Sequence, residues 1–212
     1  MIKSSVSSLP YSENIIKNLP EIINSGTDFL HIDVMDGSLT ENKTFDYKTL
    51  EKINSKTTLF LDCHLMINEP KNIVKNYCDS GANIVSIHYE AFKDKLQLID
   101  TLTYLKNRGV IVGLAIYPKT QIEEIELYKN YFDLLLIMSV EIGKYGQTFI
   151  DSTFDKIVKA KELLKDKLIE VDGGVNLENS KKLKELGVDI VVVGGSFYKA
   201  NNKQEFITNL KK

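Results

Sequence analysis

Residues 168–195 read LIEVDGGVNLENSKKLKELGVDIVVVGG. Leu168 to Asp172 is an apolar run closed by a carboxylate, the length of a buried strand rather than of a helix. Gly173-Gly174 follows as a turn, and Asn176 stands before Leu177-Glu178 as a helix start. Leu183 and Leu186 fall three apart on one helix face, and Gly187 closes the helix just before a second apolar run at Ile190. That run ends at Gly194-Gly195. A strand, a returning helix and a second strand make one unit of a parallel sheet.

The same unit recurs along the chain. Apolar runs start near Ile2, Phe29, Thr58, Ile84, Val110, Phe132, Leu168 and Ile190, with amphipathic stretches between them. Helix starts are signalled by Ser12 before Glu13, by Asn68 before Glu69-Pro70, and by Thr120 with Glu123 three residues on. Ile157, Ala160 and Leu164 mark another helix face, and Gly81 and Gly109 close helices as Gly187 does. Strands apolar on both faces, alternating with helices, indicate a parallel sheet covered on both sides. Eight units in 212 residues predict an α/β chain closed into a single (β/α)8 TIM barrel over residues 1–212. An open doubly wound sheet is the alternative, but Ser4-Ser5-Val6-Ser7-Ser8 after the first run lacks the glycines of a dinucleotide fingerprint.

Composition narrows the function. Hydrophobic residues are 43% of the chain, enough for a core, and 27 basic against 29 acidic residues give a net charge of −2. A balance this even predicts no nucleic-acid partner and no membrane surface, and no apolar run approaches a membrane span. Cys63 and Cys78 make no disulfide framework and the N-terminus has no signal-peptide pattern, so the expected location is cytoplasmic. The chain leaves room for a homo-oligomer without specifying one.

A barrel places its chemistry at the C-terminal ends of the strands. The residues there are Ser5; His31 and Asp33; His64; His88 and Glu90; Ser139; and Asp172. All three histidines of the chain fall at such ends. One histidine alone reads as a hydrogen-bonded structural residue. His31 and Asp33, two apart on one strand, share a face, and His64 and Asp172 can converge on them. Two imidazoles and two carboxylates make a shell for one divalent metal ion of zinc, iron(II), manganese or cobalt type. Met35, Met66 and Met138 also stand at strand ends, either as core filling or as a dry lining over the metal. Gly173-Gly174 and Gly194-Gly195 follow the seventh and eighth runs, where barrels often bind phosphate through backbone amides. Arg108 is the only arginine and lies elsewhere, so an arginine clamp is not expected.

The strings HIDVMDG, LDCHLM, IHYEA, LLLIMSV, EVDGGVN and VVVGG, in this order and spacing, resemble those of the ribulose-phosphate 3-epimerases from about Ile2 to Ala200. The resemblance implies a barrel that interconverts D-ribulose 5-phosphate and D-xylulose 5-phosphate with one divalent metal, and hence a ketose phosphate as small-molecule partner. By position, His31, Asp33, His64 and Asp172 match metal ligands, and Asp33 and Asp172 match the acid/base pair. Ser5, His64, Asp172, a lid loop containing Gly143, Lys144, Tyr145 and Gly146, and the phosphate-loop glycines Gly173, Gly174, Gly194 and Gly195 match substrate-binding positions.

The chain departs from the family pattern at Ser38-Leu39-Thr40-Glu41-Asn42, at Tyr117 and Lys119, and in the lid, where Ile142 replaces a proline and Tyr145 a glycine. These changes surround the substrate position and spare the ligand and acid/base positions. An allulose-6-phosphate 3-epimerase is the alternative within the same mechanism, and a non-catalytic sugar-phosphate-binding barrel is the alternative outside it.

Overall fold

The computed structural model describes residues 1–144 and 146–212; the lid residue Tyr145 lies outside them. Eight strands alternate with helices: β1 (Lys3–Ser7), α1 (Ile15–Asn24), β2 (Phe29–Met35), α2 (Tyr47–Asn54), β3 (Phe60–Met66), α3 (Val74–Asp79), β4 (Ile84–His88), α4 (Lys95–Asn107), β5 (Ile111–Ile116), α5 (Ile122–Ile125), β6 (Leu134–Met138), α6 (Thr153–Leu163), β7 (Leu168–Asp172), α7 (Asn179–Glu185), β8 (Ile190–Val193), α8 (Gly195–Lys199) and α9 (Lys203–Lys211). Every strand pairs in parallel with its neighbours in sequence, and β1 closes on β8. The expected (β/α)8 barrel is the observed one. No described helix is long and apolar enough to cross a membrane.

Several helices begin later than their start signals suggest. The Ser12 region forms a 3-10 turn over Leu9–Tyr11, and α1 starts at Ile15. The capping box lies on Gln121 and Glu124 rather than on Thr120 and Glu123, because the Thr120 hydroxyl is engaged by Glu90. Asn176 opens an Asx turn, accepting from the Glu178 and Asn179 N–H groups, and the helix follows at Asn179.

Strand parity positions the site. Leu30, Ile32 and Val34 of β2, with Leu61, Cys63 and Leu65 of β3, pack outward in the layer between strands and helices. The opposite parity faces the barrel axis. Inward positions are apolar on β5, β6 and β8, where Ala115, Leu134, Leu136 and Ile190 form a compact inner cluster. On the other strands they include polar groups: Ser5, His31, Asp62, His64, Ser86, His88 and Glu170 are all fully buried. The expectation of strands apolar on both faces therefore holds for β5, β6 and β8 and not for the rest of the barrel. Gly113 makes room at the seam, since a Cβ there would stand 2.0 Å from Ser86 Oγ. Burying so many polar groups is costly unless they satisfy one another or a ligand.

Candidate active site

The register of β2 on β3 sets Asp33 opposite His64 and His31 opposite Asp62. On β6 and β7 it sets Met138 beside Asp172. Four side chains from three strands thus meet at the C-terminal end of the barrel. Asp33 Oδ1 is 3.4 Å from both His31 Nε2 and His64 Nδ1. Asp172 Oδ2 is 3.7 Å from His31 Nε2 and 3.9 Å from His64 Nδ1. One ligand atom from each of the four residues lies within 4.8 Å of all the others.

These residues fit a metal ion. A tetrahedral shell with bonds of about 2.0–2.2 Å has edges of about 3.4 Å between ligands. His31 Nε2 and His64 Nδ1 are buried with no hydrogen-bond partner among the described residues, which is costly unless a ligand takes their lone pairs. The remaining His31 nitrogen is occupied: Nδ1 lies 2.6 Å from Asp62 Oδ2, which also accepts from Ser5 Oγ at 2.9 Å. A carboxylate behind a metal-facing histidine fixes ring orientation and tautomer.

The two inward aspartates stand in different environments. Burial pushes Asp33 up, but the His31 charge and the close approach of the His31 and His64 rings at 3.4 Å outweigh it and hold Asp33 below the usual carboxylate range. Its second oxygen accepts from Ser7 Oγ at 2.8 Å. Burial pushes Asp172 up to about 7, and the Asp33 and Asp62 charges add to that rise against His31. Burial alone would lower His31, but Asp62 and Asp33 raise it well above its ordinary value. Two carboxylates at one spot, one held ionised and one holding its proton near neutrality, are poised for opposite proton-transfer roles.

Asp33 and Asp172 open onto a pocket walled by Met35, Met66 and Met138, by Ser7, and by the loops after β6, β7 and β8. Gly143, Lys144, Gly146, Gly173, Gly174, Gly194 and Gly195 all line it. Ser5 lies fully buried with its hydroxyl on Asp62, and the serine on the pocket wall is Ser7, two positions on. His64 is likewise fully buried behind Asp33 rather than on the wall. Despite the lost proline, side chains pin the lid loop: Gln147 Nε2 donates to the Glu141 and Lys144 carbonyls at 2.6 and 2.9 Å, and Asn42 donates to the Gly143 carbonyl.

Gly174, at φ +64°, lies against the loop after β6; a Cβ there would stand 2.5 Å from Phe149 N and 2.9 Å from the Gln147 carbonyl oxygen. Both neighbours are backbone, so a side chain at Gly174 displaces the loop, and the left-handed backbone adds about 1–3 kcal/mol of strain. Gly174→Ala is expected to raise KM for a phosphorylated substrate about tenfold or more, measured by steady-state kinetics.

The strand-end motifs did not single out Asp62 or Glu170. Each lies two residues before a predicted ligand on the same strand, and period-two alternation places it on the same face, one layer deeper. That spacing was the available signal. Burial pushes the Glu170 carboxyl well up, and Asp62 beside it raises it further.

The model of the ribulose-phosphate 3 epimerase family matches residues 1–198. The ribulose-phosphate 3-epimerase of Chlamydia pneumoniae is 38% identical over 184 residues, covering 84% of this chain and 79% of that protein. The enzyme of the same name from Bacillus subtilis is 36% identical over 198 residues, covering 91% and 90%. Among solved structures, 3-hexulose-6-phosphate synthase from Salmonella typhimurium superposes with a TM-score of 0.75 at 16% identity, over 99% of this chain and 96% of that one, a likeness of fold alone.

Proposed function

The chain belongs to the ribulose-phosphate 3 epimerase family and is an epimerase of the pentose phosphate pathway, and on that footing we propose roles for the residues at its barrel mouth. The reaction interconverts D-ribulose 5-phosphate and D-xylulose 5-phosphate by moving a proton at C3. Asp33, the ionised carboxylate, takes the C3 proton from one face. Asp172, the protonated one, gives a proton to the other face, and the roles exchange in the reverse direction. The intermediate between the two transfers is an enediolate.

His31, Asp33, His64 and Asp172 would hold one divalent ion, of zinc, iron(II), manganese or cobalt type, whose chemistry when bound is Lewis-acid stabilisation of charge on the ketose oxygens. Met35, Met66 and Met138 cover the reacting carbon with apolar, polarisable surface and keep water from it. The amides around Gly173-Gly174 and Gly194-Gly195 would hold the phosphate, which sets the face of C3 that meets each aspartate. The observation that supports these roles is the opposed state of Asp33 and Asp172 at one point of the pocket floor.

A coupled assay tests the reading. Ribulose 5-phosphate is expected to turn over faster than allulose 6-phosphate, and unphosphorylated ribulose hardly at all. Preference for the six-carbon sugar would reassign the substrate, and equal turnover of the unphosphorylated ketose would remove the phosphate site. Lys144 is exposed on the lid and lines the pocket. Lys144→Ala is expected to raise KM about two- to fivefold at low salt, a difference that closes as salt screens the phosphate charge.

A further inference from the structure

His88 and Glu90, at the end of β4, take no part in the chemistry above and do not line the pocket. They nevertheless connect to it. His64 Nε2 and His88 Nε2 are 2.7 Å apart, so one carries a proton and the other a lone pair. His88 Nδ1 lies 3.2 Å from Glu90 Oε2. The other oxygen, Glu90 Oε1, accepts from the Tyr117 backbone N–H at 2.8 Å and from the Thr120 hydroxyl.

These bonds have only one self-consistent direction among neutral rings. The Tyr117 N–H cannot reverse, so Oε1 is an acceptor. Oε2 of the same carboxylate then needs a donor, which places the His88 proton on Nδ1. His88 Nε2 is left bare and must accept, so His64 Nε2 carries the proton and His64 Nδ1 keeps its lone pair toward the pocket floor. The opposite tautomer is within reach, because His64 Nδ1 also lies 3.4 Å from Asp33 Oδ1 and a proton there could be shared with that carboxylate. Such a proton would occupy the nitrogen that the ion needs.

We propose that Glu90, acting through His88, is a positioning residue that fixes the tautomer of His64 and keeps Nδ1 free for the metal. The proposal rests on the reading of His64 as a ligand. The remote end of the chain is itself anchored: the Lys156 ammonium of α6 donates to the Tyr117 carbonyl at 3.0 Å and to the Pro118 carbonyl, holding the loop that supplies the N–H. The Tyr117 ring packs on the His88 imidazole with centroids 4.9 Å apart, so this departure from the family pattern covers the relay. Glutamine in place of Glu90 gives its one acceptor oxygen to the Tyr117 N–H and turns an NH2 donor toward His88 Nδ1, which reverses the relay and puts the His64 proton on Nδ1.

Nitrogen-15 NMR of the histidines in metal-free wild-type protein reads the tautomers directly, and the chain has only three histidines. The expected result is a proton on Nε2 of His64 and on Nδ1 of His88; a proton on Nδ1 of His64, or a doubly protonated His88, overturns the proposal. Glu90→Gln is expected to weaken Zn2+ binding about ten- to a hundredfold in a chelator competition while the metal-free melting temperature stays within a few degrees. Wild-type affinity in that variant overturns the proposal. Should Glu90→Gln not fold, Thr120→Val removes one donor from the relay and is expected to weaken Zn2+ binding about two- to tenfold, with unchanged affinity counting against the relay. Wild-type protein that binds no Zn2+ would instead remove the ligand reading, and the tautomers would still decide the relay.

Discussion

Asp172→Asn is expected to lower epimerisation in both directions by at least about a hundredfold, with binding of a substrate analogue little changed. The amide fills the same space at the end of β7, where the Ser139 hydroxyl holds the strand end by donating to the Asp172 and Gly173 carbonyls at 2.9 and 2.6 Å. What is lost is the ability to carry a proton, together with one carboxylate of the proposed metal shell. Exchange of the C3 proton with deuterated solvent separates the two roles. With Asp33 intact, removal of the proton from its own face continues slowly while inversion fails. Asp33→Asn should show the converse dependence on which sugar is supplied. Near-normal turnover in both variants would sink the two-carboxylate mechanism.

His31→Ala is expected to lose the metal and much of the fold's stability together, whereas His64→Ala loses the metal with a smaller effect on stability. The difference lies in what each ring covers. His31 stands between the pocket and Asp62, which is fully buried and 2.6 Å from His31 Nδ1, with the buried Glu170 beside it. Removing the ring strands a buried carboxylate, a loss of about 3–5 kcal/mol. Elemental analysis and urea unfolding on the two variants measure this. Metal binding to the wild type should also release protons. In the metal-free site Asp62 and Asp33 favour the protonated form of His31, and Asp172 holds a proton below about 7. Such protons must leave before the ligands can coordinate, so apparent affinity falls as pH drops, the Asp172 contribution setting in below about 7, by up to about tenfold per unit for each proton displaced. Affinity independent of pH from 6 to 8 would contradict the ligand set.

Much of the architecture is legible in the sequence alone. The spacing of eight apolar runs, with glycines at Gly81, Gly109 and Gly187 and helix signals between, determined the parallel barrel, because short buried strands alternating with returning helices leave few other closures. Strand-end position with period-two alternation also marked His31, Asp33, His64 and Asp172, since local geometry alone decides which residues of one strand share a face. Helix starts were less legible: whether Thr120 caps a helix or bonds Glu90 depends on β4, which lies thirty residues away.

Only the tertiary structure decided the rest, and in each case the reason is a contact between strands. The registers of β1 on β2 and of β2 on β3 set Ser5 against the buried Asp62 and left Ser7 on the pocket wall, a difference of two positions that a strand motif cannot distinguish. The unequal states of Asp33 and Asp172 arise from burial and from charges on neighbouring strands. The line from His64 through His88 to Glu90 joins β3, β4 and the loop after β5. The chain determines which residues can point inward; closure of the barrel determines which inward residues meet, and that meeting sets where their protons sit.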